Sequence, residues 1–214
     1  RRYLWSIWKT ELMKHELIFG VPIFRYHLES NKIKEIAKEK FSVYNEYPIN
    51  EAPPGWQCSL RTEFNTSKDN VYQDLYSGVM DQFTKDLALE NCRAYIDESW
   101  LNYYIGSENQ EEHDHLPGFY SGIHFIKYDD GHTATRFVNP IYQLYSFMYK
   151  DIDLYKNPDF GSQHWSPEVK EGDIIIFPSF LRHLVAPQKS DEHRITLAFN
   201  INTIKGSTRR VFQD

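Results

Sequence analysis

From Cys92 onward, apolar residues come in short runs instead of at helical spacing, and this narrows the possible folds more than any other feature. The clearest run is Arg194 to Ile201. Ile195, Leu197, Phe199 and Ile201 share one parity, and Arg194, Thr196, Ala198 and Asn200 share the other. Successive side chains of a strand point to opposite faces, so this run reads as a strand with two unlike faces. Ala94 to Ile105, Tyr120 to Tyr128 and Asp173 to Phe177 read as further strands, rich in aromatic and β-branched residues. Before Cys92 the spacing is helical. Asn31 to Phe41 reads as a short helix with Ile33, Ile36, Ala37 and Phe41 on one side, and Asn45 to Trp56 as a loop. Asn70-Val71-Tyr72-Gln73 is similar to a capping box and opens a helix to about Leu89. Its Leu75, Val79, Phe83 and Leu87 form a core-facing stripe. Helices first and strands later imply one β-barrel or sandwich backed by N-terminal helices. The expected organisation is a single domain over 1–214, with 1–91 as support and 92–204 as core.

A length of 214 residues gives such a domain a real core. The net charge of −6 argues against a general binder of phosphate backbones, so nucleic acid is not an expected partner. No apolar run reaches the ~20 residues of a membrane span. Arg1-Arg2-Tyr3-Leu4-Trp5-Ser6-Ile7-Trp8 lacks the sustained apolar stretch of a signal peptide. The two cysteines, Cys58 and Cys92, are expected as free thiols of a cytoplasmic protein.

The chemistry-bearing residues are three histidines in two places. His113 and His115 stand two apart, which on a strand turns both toward a barrel interior and Asp114 away. His183 follows the apolar run Ile174-Ile175-Ile176-Phe177 and can reach the same interior. Three protein ligands leave positions open for small molecules, the logic of the facial triad of two His and one carboxylate on Fe(II). Here His115 stands where a carboxylate is usual. Three imidazoles make a site one unit more cationic, which also suits zinc, copper or nickel. The alternatives for the third ligand are Asp114, which faces away if His113 is a ligand, and Glu111 or Glu112, which serve only if the strand starts differently. His15, His27, His132, His164 and His193 lack a metal-like context, and His124, inside a strand, is a secondary candidate for a pocket residue.

Arg194 and Thr196 share the face opposite Ile195 and Leu197. A buried Arg needs an anion, and a guanidinium takes a carboxylate bidentately while a nearby hydroxyl adds a hydrogen bond. The natural anion is the distal carboxylate of 2-oxoglutarate, whose other end chelates the metal. Asn139 to Lys170 reads as a long connection with one short helix near Ile141 to Tyr149, and is a candidate lid.

Five segments in order carry a resemblance: Trp100-Leu101-Asn102-Tyr103-Tyr104; His113-x-His115; Ser121-Gly122-Ile123-His124-Phe125; Gly172-Asp173-Ile174-Ile175-Ile176-Phe177-Pro178-Ser179 with His183; and Arg194-Ile195-Thr196-Leu197-Ala198-Phe199-Asn200-Ile201. From Trp100 to Asn202 the chain resembles the Fe(II)/2-oxoglutarate-dependent oxygenase superfamily. More narrowly, it is similar to small bacterial and phage oxygenases related to prolyl 4-hydroxylases, several of which carry H-x-H. The resemblance implies a mainly β fold, a double-stranded β-helix (jelly roll, cupin-like), with N-terminal helices packed on the major sheet. It implies His113, His115 and His183 as ligands of Fe(2+), Arg194 and Thr196 on the 2-oxoglutarate carboxylate, and Asn102 and Tyr104 lining the co-substrate pocket. The implied activity is oxidative decarboxylation of 2-oxoglutarate by O2 to succinate and CO2, with hydroxylation of a peptidyl or small-molecule substrate as the default outcome. Two other readings stand beside it: a cupin-like three-His dioxygenase that does not use 2-oxoglutarate, and a non-catalytic jelly-roll binding protein. Arg194-x-Thr196 separates them, because only the oxygenase reading requires an interior carboxylate receptor.

Overall fold

The period-two runs form strands that pair across long sequence distances. A computed structural model describes residues 14–18, 20–46, 61–66, 70–88, 91–143 and 162–205. These residues form eleven strands and two helices: β1 (Lys14–Ile18), β2 (Val21–His27), α1 (Asn31–Glu46), β3 (Arg61–Thr66), α2 (Asn70–Asp86), β4 (Cys92–Tyr104), β5 (Gln110–His113), β6 (Tyr120–Lys127), β7 (Thr135–Val138), β8 (His164–Trp165), β9 (Asp173–Pro178), β10 (His183–Val185) and β11 (Arg194–Lys205). A seven-stranded sheet runs β1-β2-β9-β6-β11-β4-β3, and a four-stranded sheet runs β5-β10-β7-β8. The antiparallel pairs join residues far apart in sequence, such as β11 with β4 and β6 with β9. This is the double-stranded β-helix expected from the sequence, with the helices on the larger sheet.

Two apolar clusters explain the alternation. Ile195, Leu197, Phe199 and Ile201 of β11 join Leu101 and Tyr103 of β4 and Ile174 and Ile176 of β9 in one cluster. Ile33 and Ala37 of α1 and Tyr72, Tyr76, Val79, Met80 and Phe83 of α2 complete it. The oily parity of β11 therefore faces the helices. The second cluster lies between the sheets and holds Ile123, Phe125, Phe137, Ile175, Phe177 and Leu181. The polar parity of β11 is left facing this interior, so a strand buried on both sides carries a dry face and a chemical face. Gln73 Nε2 donates to the Ile96 carbonyl at 2.7 Å and ties α2 to β4.

The N-terminal region departs from the expectation of helical or irregular support. It contributes β1, β2 and β3, which extend the major sheet at both edges. Helix α1 runs on to Glu46, through the first two residues read as loop. The rest of that loop, Cys58, and most of the expected lid and short helix lie outside the described residues; of the lid, residues 162–170 return as β8 and its tail. Cys92 is a free thiol. No helix among the described residues is long and apolar enough to cross a membrane.

Gly122 shows how tightly β6 and β11 approach. It pairs with Phe199, and a Cβ there would lie 2.2 Å from the Phe199 ring. Gly122→Ala is expected to destabilise the protein by about 1–3 kcal/mol through overpacking. Urea unfolding checks this: the midpoint should fall with the slope unchanged.

Candidate metal centre and co-substrate pocket

The minor sheet brings the histidines together. His183 opens β10 and is the cross-strand partner of His113 at the end of β5. Their ring centroids lie 4.3 Å apart. His115 is not on the same strand, contrary to the spacing argument. Strand β5 ends at His113, and the chain turns: the Asp114 carboxylate accepts from Leu116 N–H at 3.1 Å, and Gly118 N–H donates to the His115 carbonyl at 2.8 Å. His115 N–H donates to the Ser179 carbonyl at 2.9 Å, which clips this turn to the one after β9. The His115 ring still reaches the other two, 5.1 Å from each by centroids, and stacks on Trp100 at 5.2 Å and 14°. One ligand atom from each histidine lies within 4.8 Å of the others.

The carboxylates weighed for the third position do not join this group. Asp114 is exposed and spends an oxygen on its own turn. Glu112 pairs with Arg182 at 3.1 Å. The Glu111 carbonyl faces His113 Nδ1 at 2.8 Å.

Each ring has an acceptor at Nδ1: the Glu111 carbonyl for His113, the Leu181 carbonyl for His183 at 3.0 Å, and Asn200 Oδ1 for His115 at 3.0 Å. Each Nδ1 therefore donates, and Nε2 carries the lone pair that a metal requires. Burial disfavours the imidazolium of all three, and the neighbouring rings add to this for His115 and His183. The His115 pKa falls to about 4, that of His113 is lowered, and that of His183 lies well below its usual value. A divalent ion needs neutral imidazoles, and this pocket holds them neutral.

Behind the triad lies a buried cation. Arg194 is 1% exposed. Its Nη2 donates to Thr135 Oγ1 at 3.5 Å, while Nε and Nη1 have no hydrogen-bond partner among the described residues. Its guanidinium carbon lies 4.7 Å from the Tyr104 ring centre and 5.4 Å from that of Phe125. Burial pulls its pKa down and Tyr104 and Tyr128 push the other way, but a guanidinium stays charged. Strand register sets its neighbours: Arg194 faces Tyr104, and Thr196 faces Asn102. Tyr104 O–H donates to Gln110 Oε1 at 3.0 Å, and Gln110 Nε2 lies 3.3 Å from His113 Nε2. Tyr104 and Gln110 thus link the guanidinium to the Nε2 edge of His113. His113, His115, His183, Arg194, Thr196, Asn102 and Tyr104 all line one cavity.

His124 is not in this cavity. It faces the helices, with Nδ1 2.5 Å from Tyr76 Oη and Nε2 3.1 Å from the Leu28 carbonyl. Parity accounts for this: Ile123 and Phe125 take the inward side of β6. Trp100, Gln110, Ser121, Thr135 and Asn200 are residues of the site that the sequence did not single out. Trp100 shares parity with Asn102 and Tyr104, and Asn200 with Arg194 and Thr196, so these two were readable. Gln110 and Thr135 lie on four-residue strands that carry no pattern.

The buried imidazoles make a pH prediction. Unfolded histidines take up protons near pH 6.5, whereas folded His115 and His124 resist until about pH 4. Their contribution to stability is present above pH 6.5 and is lost as the pH falls toward 4. The metal-free protein should weaken by on the order of a few kcal/mol across that window. Urea midpoints measured across it check the slope, and His124→Gln should make it shallower. An unchanged slope in that variant would contradict the assignment.

The sequence of residues 98–200 matches the family model described as "Putative 2OG-Fe(II) oxygenase". This stretch is a 2OG-Fe(II) oxygenase domain. It begins in β4 and ends in β11, and so contains every strand that contributes to the site. Domains of that description use iron, 2-oxoglutarate and O2 as cofactor and co-substrates. Solved structures share this chain's fold. A prolyl-4-hydroxylase from Pseudomonas putida aligns with a TM-score of 0.52 at 11% identity, over 83% of this chain and 91% of that one. HygX from Streptomyces hygroscopicus, with nickel, 2-oxoglutarate and hygromycin B bound, gives 0.53 at 9% over 85% and 83%. EctD from S. alaskensis with bound Fe gives 0.55 at 16% over 83% and 72%. No curated protein sequence matches the chain.

Proposed function

We propose that His113, His115 and His183 hold the ferrous ion through Nε2. Arg194, with Thr196, takes the distal carboxylate of 2-oxoglutarate, and Asn102 and Tyr104 line that pocket. The observation that carries this reading is the pairing of unlike halves in one cavity: three imidazoles whose Nδ1 acceptors leave the lone pair on Nε2, and a buried guanidinium with two nitrogens unpartnered among the described residues. A buried cation without an anion is costly, and a dicarboxylate removes that cost while placing its other end toward the triad. Once bound, iron and keto acid supply the O2 activation that oxidises a substrate and leaves succinate and CO2.

The chain's own residues orient and shield. Tyr104 and Phe125 flank the guanidinium with rings, which excludes water and strengthens its hold on a carboxylate. The Nδ1 acceptors keep all three rings in the ligating tautomer. A cupin-like dioxygenase without 2-oxoglutarate has no use for Arg194, which sets that reading aside. The expected outcome is hydroxylation of a peptidyl or small-molecule substrate, by a cytoplasmic protein acting as one domain. Succinate formation is the test. It should require Fe(II), O2 and 2-oxoglutarate together, proceed slowly without a substrate, and rise with the right member of a panel of peptides, amino acids and nucleosides. Iron-loaded, folded protein that never converts 2-oxoglutarate would refute the proposal.

A further inference from the structure

Two of the three imidazoles are oriented by backbone, and one by side chains. His113 and His183 each give Nδ1–H to the carbonyl two residues upstream. Those bonds come with the local course of the chain and demand no particular side chain. His115 Nδ1 instead meets Asn200 Oδ1, 85 residues away. Asn200 gives Nδ2 to Glu98 Oε2 at 3.3 Å, its cross-strand partner on β4, and receives the Ser121 hydroxyl on Oδ1 at 3.1 Å. Ser121 has Ser179 Oγ at 2.8 Å.

This arrangement has only one consistent set of directions. An ionised Glu98 only accepts, so it must face the NH2 end of the Asn200 amide. Oδ1 is then the end turned to His115, and an oxygen acceptor requires the proton on Nδ1. The Ser179–Ser121 pair can donate onward to the same oxygen. Trp100, stacked on the ring, sets its plane. The edge and the face of His115 are thus both fixed by residues of the major sheet.

We infer that Asn200 is a positioning residue for the metal centre. It accepts the Nδ1–H of His115, presents Nε2 to the metal, and so lets an imidazole serve where a carboxylate is usual in this fold. A carboxylate at 115 would have no N–H to offer Asn200; this corner is built for an imidazole. The inference rests on the proposed triad.

The test uses protein labelled with 15N-histidine, free of metal and with Zn(II) as a diamagnetic probe. In the unsubstituted protein His115 should be the Nδ1–H tautomer without metal, and Zn(II) should shift Nε2 of all three rings. Asn200→Leu should mix the His115 tautomers and weaken Zn(II) binding about 10–100-fold, the usual cost of losing such an outer partner. Asn200→Asp keeps an oxygen acceptor and should restore both the tautomer and most of the affinity. His113 and His183 should keep their tautomers in both variants. Asn200→Ala replaces the Leu variant if that one does not fold. A variant lacking the acceptor that still shows a pure Nδ1–H His115 and unchanged Zn(II) affinity overturns the role of Asn200. Unsubstituted protein in which Zn(II) shifts none of the three rings overturns the triad itself, before any substitution is made.

Discussion

Arg194→Met is expected to weaken 2-oxoglutarate binding severely and, in the same protein, to raise the stability of the ligand-free state. The two effects share one cause. Arg194 is buried at 1% exposure, and Nε and Nη1 lack partners among the described residues. The hydrogen bond from Nη2 to Thr135 is long at 3.5 Å. Removing one partner of a buried charge pair costs about 2–5 kcal/mol, or roughly 30- to several-thousand-fold in affinity. Without the ligand the balance reverses. An unmatched buried cation is replaced by an apolar chain of similar length, which typically stabilises by about 1–4 kcal/mol. Calorimetric titration of 2-oxoglutarate and urea unfolding of the same variant read the two numbers. Arg194→Lys should fall between, because an ammonium keeps the charge but loses the planar fork. A variant that binds 2-oxoglutarate normally, or loses stability, contradicts the role given to Arg194.

His183→Ala is expected to abolish stoichiometric Fe(II) binding. His183 is the most enclosed of the three rings, packed against Phe177 at 4.9 Å and paired across the ladder with His113. Its loss leaves two imidazoles, and the effect should exceed the roughly 10–100-fold cost of disturbing an outer partner. Co(II) titration, followed by its ligand-field spectrum, measures this. Asp114→Asn is the control: an exposed side chain that holds its own turn should leave metal affinity unchanged. If Asp114→Asn removes the metal and His115→Ala does not, the third ligand is misassigned.

What the sequence disclosed follows strand length. Arg194 to Ile201 is long enough to show parity, and parity put Arg194 and Thr196 on one face; Asn102 and Tyr104 were legible only through the family resemblance. The triad was legible as residue types, but its geometry was not. His115 reaches the site from a turn past β5, held by Ser179, Trp100 and Asn200, and these are contacts between distant segments. The strands β5, β7, β8 and β10 span two to four residues and have no period to read. For the same reason Thr135 and Gln110 escaped notice. Strands β1–β3 were missed because their place is set by pairing: β2 with β9, β1 with β2, and β3 with β4.

The central claim is that one cavity holds iron and 2-oxoglutarate in contact with each other. Anaerobic titration of the protein with Fe(II) and 2-oxoglutarate tests it without knowledge of the substrate. A visible metal-to-ligand charge-transfer band should appear only when both are present, saturate at one equivalent of each, and be missing in His183→Ala and in Arg194→Met at matched concentration. Folded, iron-loaded protein that shows no such band with excess 2-oxoglutarate would contradict the account.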